Sequence, residues 1–256
     1  MTFNVRTADL GLLNSLTKYP SIPTYHALDP ANGRLTDAVV EFDGPVIGTE
    51  KIDGTNARII SLPDGTYLLG SREHLLYARG DLIGNPAQGI VAALKQLAES
   101  LPPATDGIRV HFLEVYGGKV GAAAKQYSGE HTVGYRMFDY AVIADHEEMV
   151  GRSMEQISSW RESGGQPFVS VEQLVEVGAR DAVPLVPALF TVDSADLPRD
   201  LEATRAFLAE QLPSTRSALD EGAGGQPEGI VLRSGDRSRI AKARFQDYDR
   251  TLKRRR

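Results

Sequence analysis

The segment GTEKIDGTNARII, residues 48–60, places a tight turn between two runs of residues that favour β-strands. Its Asp53-Gly54 dipeptide is typical of the turn of a β-hairpin. A hairpin would explain the turn, but it would not explain Lys51. A lysine and an aspartate at the end of a strand therefore call for a functional interpretation alongside the structural one.

Short runs rich in β-branched and aromatic residues predict further strands along the chain. The predicted strands are 37–42, 45–52, 56–62, 66–71, 108–116, 135–143, 228–234 and 238–245. Apolar residues at helical spacing predict helices at 87–101, 170–179 and 199–212. Strands joined by short turns pair antiparallel, so we predict an α+β fold of mainly antiparallel sheets with flanking helices.

The composition is that of a soluble globular protein, with 41% hydrophobic and 24% charged residues in a chain of 256. No apolar run approaches the roughly 18 residues of a membrane span, and the first 20 residues do not form an export signal. The absence of cysteine excludes disulfides and cysteine-ligated metal sites. We therefore expect a cytoplasmic protein without a membrane partner.

The charge is unevenly distributed along the chain. The net charge is −6, yet the segment 228–256 contains ten Lys or Arg against four Asp or Glu. Such a basic stretch can hold phosphate groups. Residues 246–256 are predicted to form a basic C-terminal tail, for which a solvated and partly disordered tail without a partner is the alternative.

Several standard sites are absent from the sequence, which has no P-loop, no HExxH motif and no G-x-S-x-G motif. What remains is a group of charged residues on predicted strands, namely Glu114, Glu228, Lys242 and Arg244. Alternate residues of a strand point to the same face, so Lys242 and Arg244 share one face. These charges could converge on a site, or each could lie on the wet face of its strand.

Five segments resemble, in order, the signature motifs of the covalent nucleotidyltransferases, which include ATP-dependent DNA ligases, RNA ligases and mRNA capping enzymes. They are KIDGTN (51–56), FLEVYGG (112–118), RMFDYAV (136–142), EGIVLR (228–233) and AKAR (241–244). The second residue after the motif glycine is usually arginine in DNA ligases and capping enzymes. Here that residue is Asn56, and the pair Thr55-Asn56 resembles the Thr-Asn of RNA ligases of the nick-sealing phage type. KYPSIPTYHAL (18–28) and GAAAKQYSG (121–129) also look like RNA ligase segments.

This resemblance implies a function for each motif. Lys51 would attack the α-phosphorus of ATP, expel pyrophosphate and become a lysyl-AMP, and Asp53 would help to orient the lysine or its hydrated metal. AMP would then pass to an RNA 5′-phosphate, and an RNA 3′-hydroxyl would displace it. Glu114 and Glu228 would bind Mg²⁺ or Mn²⁺, and Phe138 would stack on adenine.

Lys242 and Arg244 would grip the α-phosphate as its charge grows. Arg244 departs from the family, which commonly has a second lysine there, and an arginine is a fixed planar fork rather than a point charge. The full set of nucleotide contacts implied by the resemblance is Glu50, Ile52, Asn56, Arg72, Glu114, Phe138, Glu228 and Lys242.

The resemblance also implies a single minimal nucleotidyltransferase (adenylation) domain over 1–256, with a nucleotide pocket between its sheets and no appended oligonucleotide-binding domain. Its grip on RNA would come from its own surface, from the basic tail or from a partner protein or domain. Two alternatives stay open: a minimal ATP-dependent DNA ligase or other nucleotidyltransferase, and a non-catalytic nucleic-acid-binding relative. The choice of nucleotide and of RNA or DNA acceptor separates them.

Overall fold

The computed structural model describes residues 7–78, 81–82 and 89–253, which form antiparallel sheets with helices packed on them. In chain order the elements are α1 (Leu10–Leu16), β1 (His26–Leu28), β2 (Leu35–Val39), β3 (Pro45–Lys51), β4 (Thr55–Ser61), β5 (Tyr67–Ser71), β6 (Leu75–Ala78), β7 (Asp81–Leu82), α2 (Ile90–Ser100), β8 (Ile108–Gly117), α3 (Ala124–Tyr127), β9 (Val133–Ile143), α4 (His146–Met149), α5 (Met154–Glu162), α6 (Val171–Arg180), β10 (Ala188–Asp193), α7 (Leu201–Gln211), β11 (Gly229–Ser234), β12 (Ile240–Arg244) and α8 (Phe245–Leu252). The predicted α+β class with flanking helices is confirmed.

The strands form two main sheets. The large sheet has the order β7-β6-β5-β4-β8-β9, and the small sheet has the order β10-β3-β11-β12. All paired strands in both sheets run antiparallel. A separate two-stranded ribbon joins β1 and β2.

The hairpin suggested by Asp53-Gly54 is not formed, because β3 and β4 belong to different sheets. The chain crosses from the small sheet to the large one at these two residues. A Cβ atom on Gly54 would lie 2.3 Å from the carbonyl oxygen of Val115, so only glycine allows the chain to pass this close to β8. The glycine therefore serves a close backbone approach rather than a tight reversal.

Each sheet is buried by helices. In β4, Ile59 packs in the cluster that contains α2 and α6, whereas its neighbour Ile60 packs in the cluster that contains α1 and α5. Successive residues of a strand point to opposite faces, so the large sheet has helices on both sides. In the small sheet, Ile230 and Leu232 pack against α7 and α8, which leaves the opposite face of β11 for the site.

Every predicted strand and helix has a counterpart whose ends differ from the prediction by three residues or fewer. The sequence patterns missed short elements, including α1, α5, β10 and α8. The region predicted as a basic tail, 246–256, begins in the structure as the helix α8, in which Tyr248 and Thr251 are buried. Residues 254–256 of that region, and 87–88 of the first predicted helix, lie outside the described residues. None of the described helices is long and apolar enough to cross a membrane.

Gly229 offers a test of the small sheet, because it lies between Lys51 of β3 and Arg244 of β12. A Cβ atom there would lie 2.2 Å from the carbonyl oxygen of Ala243, which is backbone and cannot move aside alone. We expect Gly229→Ala to lower the free energy of unfolding in urea by about 3 kcal/mol. Gly235→Ala is the control, because no atom lies within 4 Å of the added carbon. Equal stability of the two variants would contradict the described packing.

Candidate active site

A cavity of about 420 Å³ lies between the two main sheets. Its walls come from β3, β11 and β12 of the small sheet, from β4, β8 and β9 of the large sheet, and from the segment before β1. All residues that the sequence suggested for the site line this cavity: Glu50, Lys51, Ile52, Asp53, Asn56, Arg72, Glu114, Phe138, Glu228, Lys242 and Arg244. The fold thus brings together residues from strands that are as far apart in the sequence as β3 and β12.

The register of the small sheet places the cations of the site side by side. Gly229 of β11 pairs with Lys51 on one side and with Arg244 on the other. Two residues further along β11, Val231 faces Lys242. Since alternate residues share a face, Lys51, Lys242 and Arg244 all lie on the cavity side of the sheet.

Lys51 is paired with a carboxylate. Its Nζ atom donates a hydrogen bond to Oε2 of Glu228 over 2.5 Å. The two side chains are 25% and 16% exposed, so water screens the pair only in part. Burial raises the pKa of Glu228, and the neighbouring charge of Lys51 opposes that rise.

Glu114 is the second carboxylate of the cavity and lies on β8. Burial raises its pKa to about 8, with Lys51 acting against the rise and Glu228 adding to it. One of its oxygens, Oε1, accepts a hydrogen bond from the backbone N–H of Gly54 over 3.1 Å. With no cation bound, the carboxyl of Glu114 is therefore largely protonated at neutral pH.

The two carboxylates fit a divalent cation that completes its coordination with other ligands. Magnesium commonly binds proteins through one or two carboxylates together with substrate phosphates and water. Among residues 7–78, 81–82 and 89–253, no cluster of three or more His, Cys, Asp or Glu side chains is placed to hold a metal alone. The buried Oδ1 of Asn56, next to Glu114 across the strands, also has no hydrogen-bond partner within this part of the chain. The donor set is suited to a metal shared with a bound nucleotide.

Lys242 and Arg244 of β12 form one side of the cavity, which we call the cationic wall. Burial lowers the pKa of Lys242, and the charges of Arg244, Lys51 and Arg72 lower it further. The backbone of Lys242 is held in place by the segment before β1, since its N–H donates to Pro23 and its carbonyl accepts from Tyr25. Arg72 lies at the exposed rim, where its guanidinium donates to Oγ of Ser21 over 3.1 Å.

Phe138 forms part of the wall on β9. The ring of Tyr19 meets its ring edge-on, with centroids 5.0 Å apart and planes at 87°. Nη2 of Arg233 donates to the carbonyl oxygen of Phe138 over 2.9 Å, and this hydrogen bond links the two sheets. Tyr19 and Arg233 also line the cavity, although sequence reasoning did not select them. Both lie within segments noted for their resemblance to RNA ligases.

The loop after Lys51 is fixed from two sides. The backbone N–H of Asp53 donates to the hydroxyl of Tyr127 over 2.7 Å, and that of Gly54 donates to Glu114. Tyr127 is fully buried and lies on α3, 74 residues further along the chain than Asp53. The sequence offered no sign of this contact beyond the family-like segment that contains Tyr127.

The carboxylate of Glu50 binds the protein itself. It accepts hydrogen bonds from the hydroxyl of Thr215, from the N–H of Arg216 over 3.0 Å and from the hydroxyl of Ser217 over 2.8 Å. The residue is only 1% exposed. A contact between Glu50 and a nucleotide would therefore have to involve its backbone.

We predict that Glu50→Ala lowers the free energy of unfolding by about 3 kcal/mol, because it leaves buried donors without an acceptor. Chemical denaturation measures the change. Glu210→Ala is the control, since that glutamate is exposed on α7, and its effect should stay within about 0.5 kcal/mol. A Glu50→Ala protein as stable as the control would show that the carboxylate does not anchor residues 215–217.

Glu114 predicts a pH dependence of stability in the absence of metal and nucleotide. Its pKa rises from 4.5 to about 8 in the folded protein, so between these values the folded state binds more protons than the unfolded state. Stability is therefore lost as the pH rises through this window. Glu114→Gln removes the charge and should be more stable than the original protein at pH 9, on the order of 1–3 kcal/mol.

Urea denaturation of both proteins at several pH values, with a chelator present, tests this prediction. The difference between the proteins should shrink as the pH falls from 9 towards 5, because the carboxyl of Glu114 is then protonated in the folded protein and no longer carries a buried charge. A difference that does not vary with pH would contradict the prediction.

Solved structures of RNA ligases share this fold. A ligand-free mutant of the Naegleria gruberi RNA ligase matches with a TM-score of 0.54 and 12% identity over 83% of this chain and 52% of that chain. An archaeal ATP-dependent RNA ligase matches with a TM-score of 0.53 and 19% identity over 90% of this chain and 49% of that one. The chain thus spans about half the length of these two proteins, and at such identities the likeness shows the fold alone.

Sequence comparison gives a more specific result. A comparison with curated proteins gave no match. The RNA ligase family, by contrast, matches residues 44–252, which contain the cavity strands of both sheets. This match extends over most of the chain and includes Lys51, Glu114, Glu228 and Lys242. The chain therefore belongs to the RNA ligase family.

Proposed function

We propose that this protein is an ATP-dependent RNA ligase whose nucleophile is Lys51. The observation that carries the proposal is the contact between Lys51 and Glu228 inside a cavity that also contains Glu114, Lys242 and Arg244. A lysine with a carboxylate and two cations around it in an enclosed site suits attack on a phosphate. The fold match to RNA ligases that were solved with ATP and Mn or with PPi supports the choice of ATP as donor and of a divalent metal.

The first step transfers AMP to the protein. The ammonium group of Lys51, which donates a hydrogen bond to Glu228 over 2.5 Å, first gives up a proton to solvent, so that Glu228 stays ionised. The amine nitrogen then forms a bond to the α-phosphorus of ATP, the bond from that phosphorus to the bridging oxygen breaks, and pyrophosphate leaves with the electron pair. The product is a lysyl-AMP phosphoramidate.

The cationic wall stabilises the charge of this step. Lys242 and Arg244 lie on the same face as Lys51 and can hold the α-phosphate in line with the amine. Asp53 orients Lys51 through the loop that Tyr127 fixes. Phe138 offers a ring for the adenine to stack on, and the backbones of Glu50 and Ile52, with Asn56 and Arg72, complete the contacts to the nucleotide.

Glu114 and Glu228 would hold Mg²⁺ or Mn²⁺ together with the nucleotide. A bound divalent cation neutralises charge on the phosphates. Burial raises the pKa of both carboxylates and so disfavours their ionised forms. A bound cation would offset this cost, because its positive charge stabilises the ionised carboxylates in the cavity.

The next two steps join the RNA ends. AMP passes from Lys51 to an RNA 5′-phosphate, and a 3′-hydroxyl attacks that phosphate, forms the phosphodiester and releases AMP. We propose that this chain binds RNA through its own surface, through the basic region at 246–256 or through a partner.

The covalent intermediate gives the most direct test. After incubation with ATP and Mg²⁺, the intact mass of the protein should rise by one AMP group. Lys51→Ala should show no rise, whereas Lys119→Ala, which removes an exposed lysine outside the cavity, should match the original protein. Loss of the adduct in both variants, or in neither, would contradict the role of Lys51.

The choice of substrates separates this proposal from its alternatives. An adduct formed with GTP but not ATP would indicate capping-type chemistry, and sealing of DNA in preference to RNA would indicate a DNA ligase. No adduct with either nucleotide would leave a nucleic-acid-binding relative, whose affinity for RNA should fall steeply as salt rises.

A further inference from the structure

The guanidinium of Arg244 has a carboxylate partner that does not itself line the cavity. Nε donates to Oδ2 of Asp247 over 2.8 Å, and Nη2 donates to Oδ1 over 3.2 Å. Two parallel hydrogen bonds of this kind fix both the position and the plane of an arginine. Arg244 is the last residue of β12, and Asp247 lies in the first turn of α8 that follows directly.

Asp247 is itself held firmly. Its side chain is 2% exposed, whereas that of Arg244 is 33% exposed and lines the cavity. The N–H of Phe245, at the start of α8, donates to the carbonyl of Glu228 over 3.0 Å, so the helix is anchored to a site residue that directly precedes β11. Asp247 therefore has a fixed position relative to the cavity.

The charged groups around Asp247 leave this corner of the cavity with a net positive charge. Arg250 also approaches the carboxylate, with Nη2 3.3 Å from Oδ1. One carboxylate between two guanidinium groups leaves one positive charge in excess. The contact with Asp247 thus orients Arg244 without cancelling the attraction of this corner for a phosphate.

The number of donors explains why an arginine works here. A guanidinium has five N–H donors, and the two hydrogen bonds to Asp247 use two of them. The other three stay available to a phosphate that enters the cavity. A lysine has a single ammonium group at the end of a flexible chain, so it cannot hold Asp247 in a fork and present a fixed donor face as well.

We infer that Asp247 is a positioning residue, which holds Arg244 in the orientation that receives the α-phosphate of the nucleotide. The inference rests on the proposed function. It implies that lysine, although cationic, cannot replace Arg244 in this chain. A fixed donor contributes most where the phosphate gains charge during transfer, so its loss should lower the rate of AMP transfer more than the affinity for ATP.

The test is a double-mutant cycle measured on the rate of lysyl-AMP formation in a single turnover, across a range of ATP concentrations. Arg244→Lys and Asp247→Asn should each lower the rate at saturating ATP by roughly tenfold. The ATP concentration at half the maximal rate should change by less than about threefold. The double variant should be no slower than Arg244→Lys alone, because Asp247 acts only through Arg244.

A matched control lies on the same helix. Asp249 pairs with Arg205 over 2.7 Å and does not line the cavity. Asp249→Asn should keep the rate within about twofold of the original protein. Thermal unfolding of each variant shows whether a loss of rate follows a loss of structure.

Several outcomes would overturn the inference. Effects that multiply in the double variant would show that Asp247 acts independently of Arg244, as a residue with only a structural role would. Full activity of Arg244→Lys would show that the two hydrogen bonds from Arg244 to Asp247 are not needed. This variant keeps the buried carboxylate of Asp247 and its contact with Arg250, so it stays informative even if Asp247→Asn destabilises the fold. If the unmodified protein forms no adduct at all, the proposed function itself fails, which is a distinct result.

Discussion

The register of β11 between β3 and β12 is the constraint on which the site depends. Ile230 and Leu232 must face α7 and α8 to be buried, so the residues that alternate with them face the cavity. In this register Gly229 lies opposite both Lys51 and Arg244. A shift of the strand register by one residue would turn every side chain of β11 to the other face, and Gly229 would no longer lie opposite Lys51 and Arg244. The apolar pattern of one strand therefore determines where the charges of the site meet.

The same arrangement has an energetic cost that the rest of the fold must offset. Burial raises the pKa of Glu114 and Glu228 and lowers that of Lys242, so each group is held where its charged form is disfavoured. Such perturbed groups are concentrated at functional sites. The three large apolar clusters that bury both faces of the large sheet and the outer face of the small sheet provide the compensating stability.

The motif residues could be predicted because each is local. A charged residue on a strand, such as Glu114 or Lys242, is visible in the sequence, and the period of two determines which neighbours share its face. Pairing of strands in space is not visible in this way. The turn at Asp53-Gly54 has the composition of a hairpin, yet it connects two sheets, because the close passage of Gly54 over β8 depends on a strand some 60 residues away. For the same reason the partner of Glu50, 165 residues distant, could not be inferred.

These long-range contacts explain how a site assembled from distant segments can stay in place. The carboxylate of Glu50 holds Thr215 beside β3, and the N–H of Leu219 donates to the carbonyl of Tyr127 over 2.7 Å. Both β3 and α3 are thereby bound to the segment that leads into Glu228. None of these contacts is made by the side chains of Lys51 or Glu228, yet together they hold the segments that carry these two residues and the loop that Tyr127 supports. The motifs specify the chemistry, and the residues between the motifs specify its geometry.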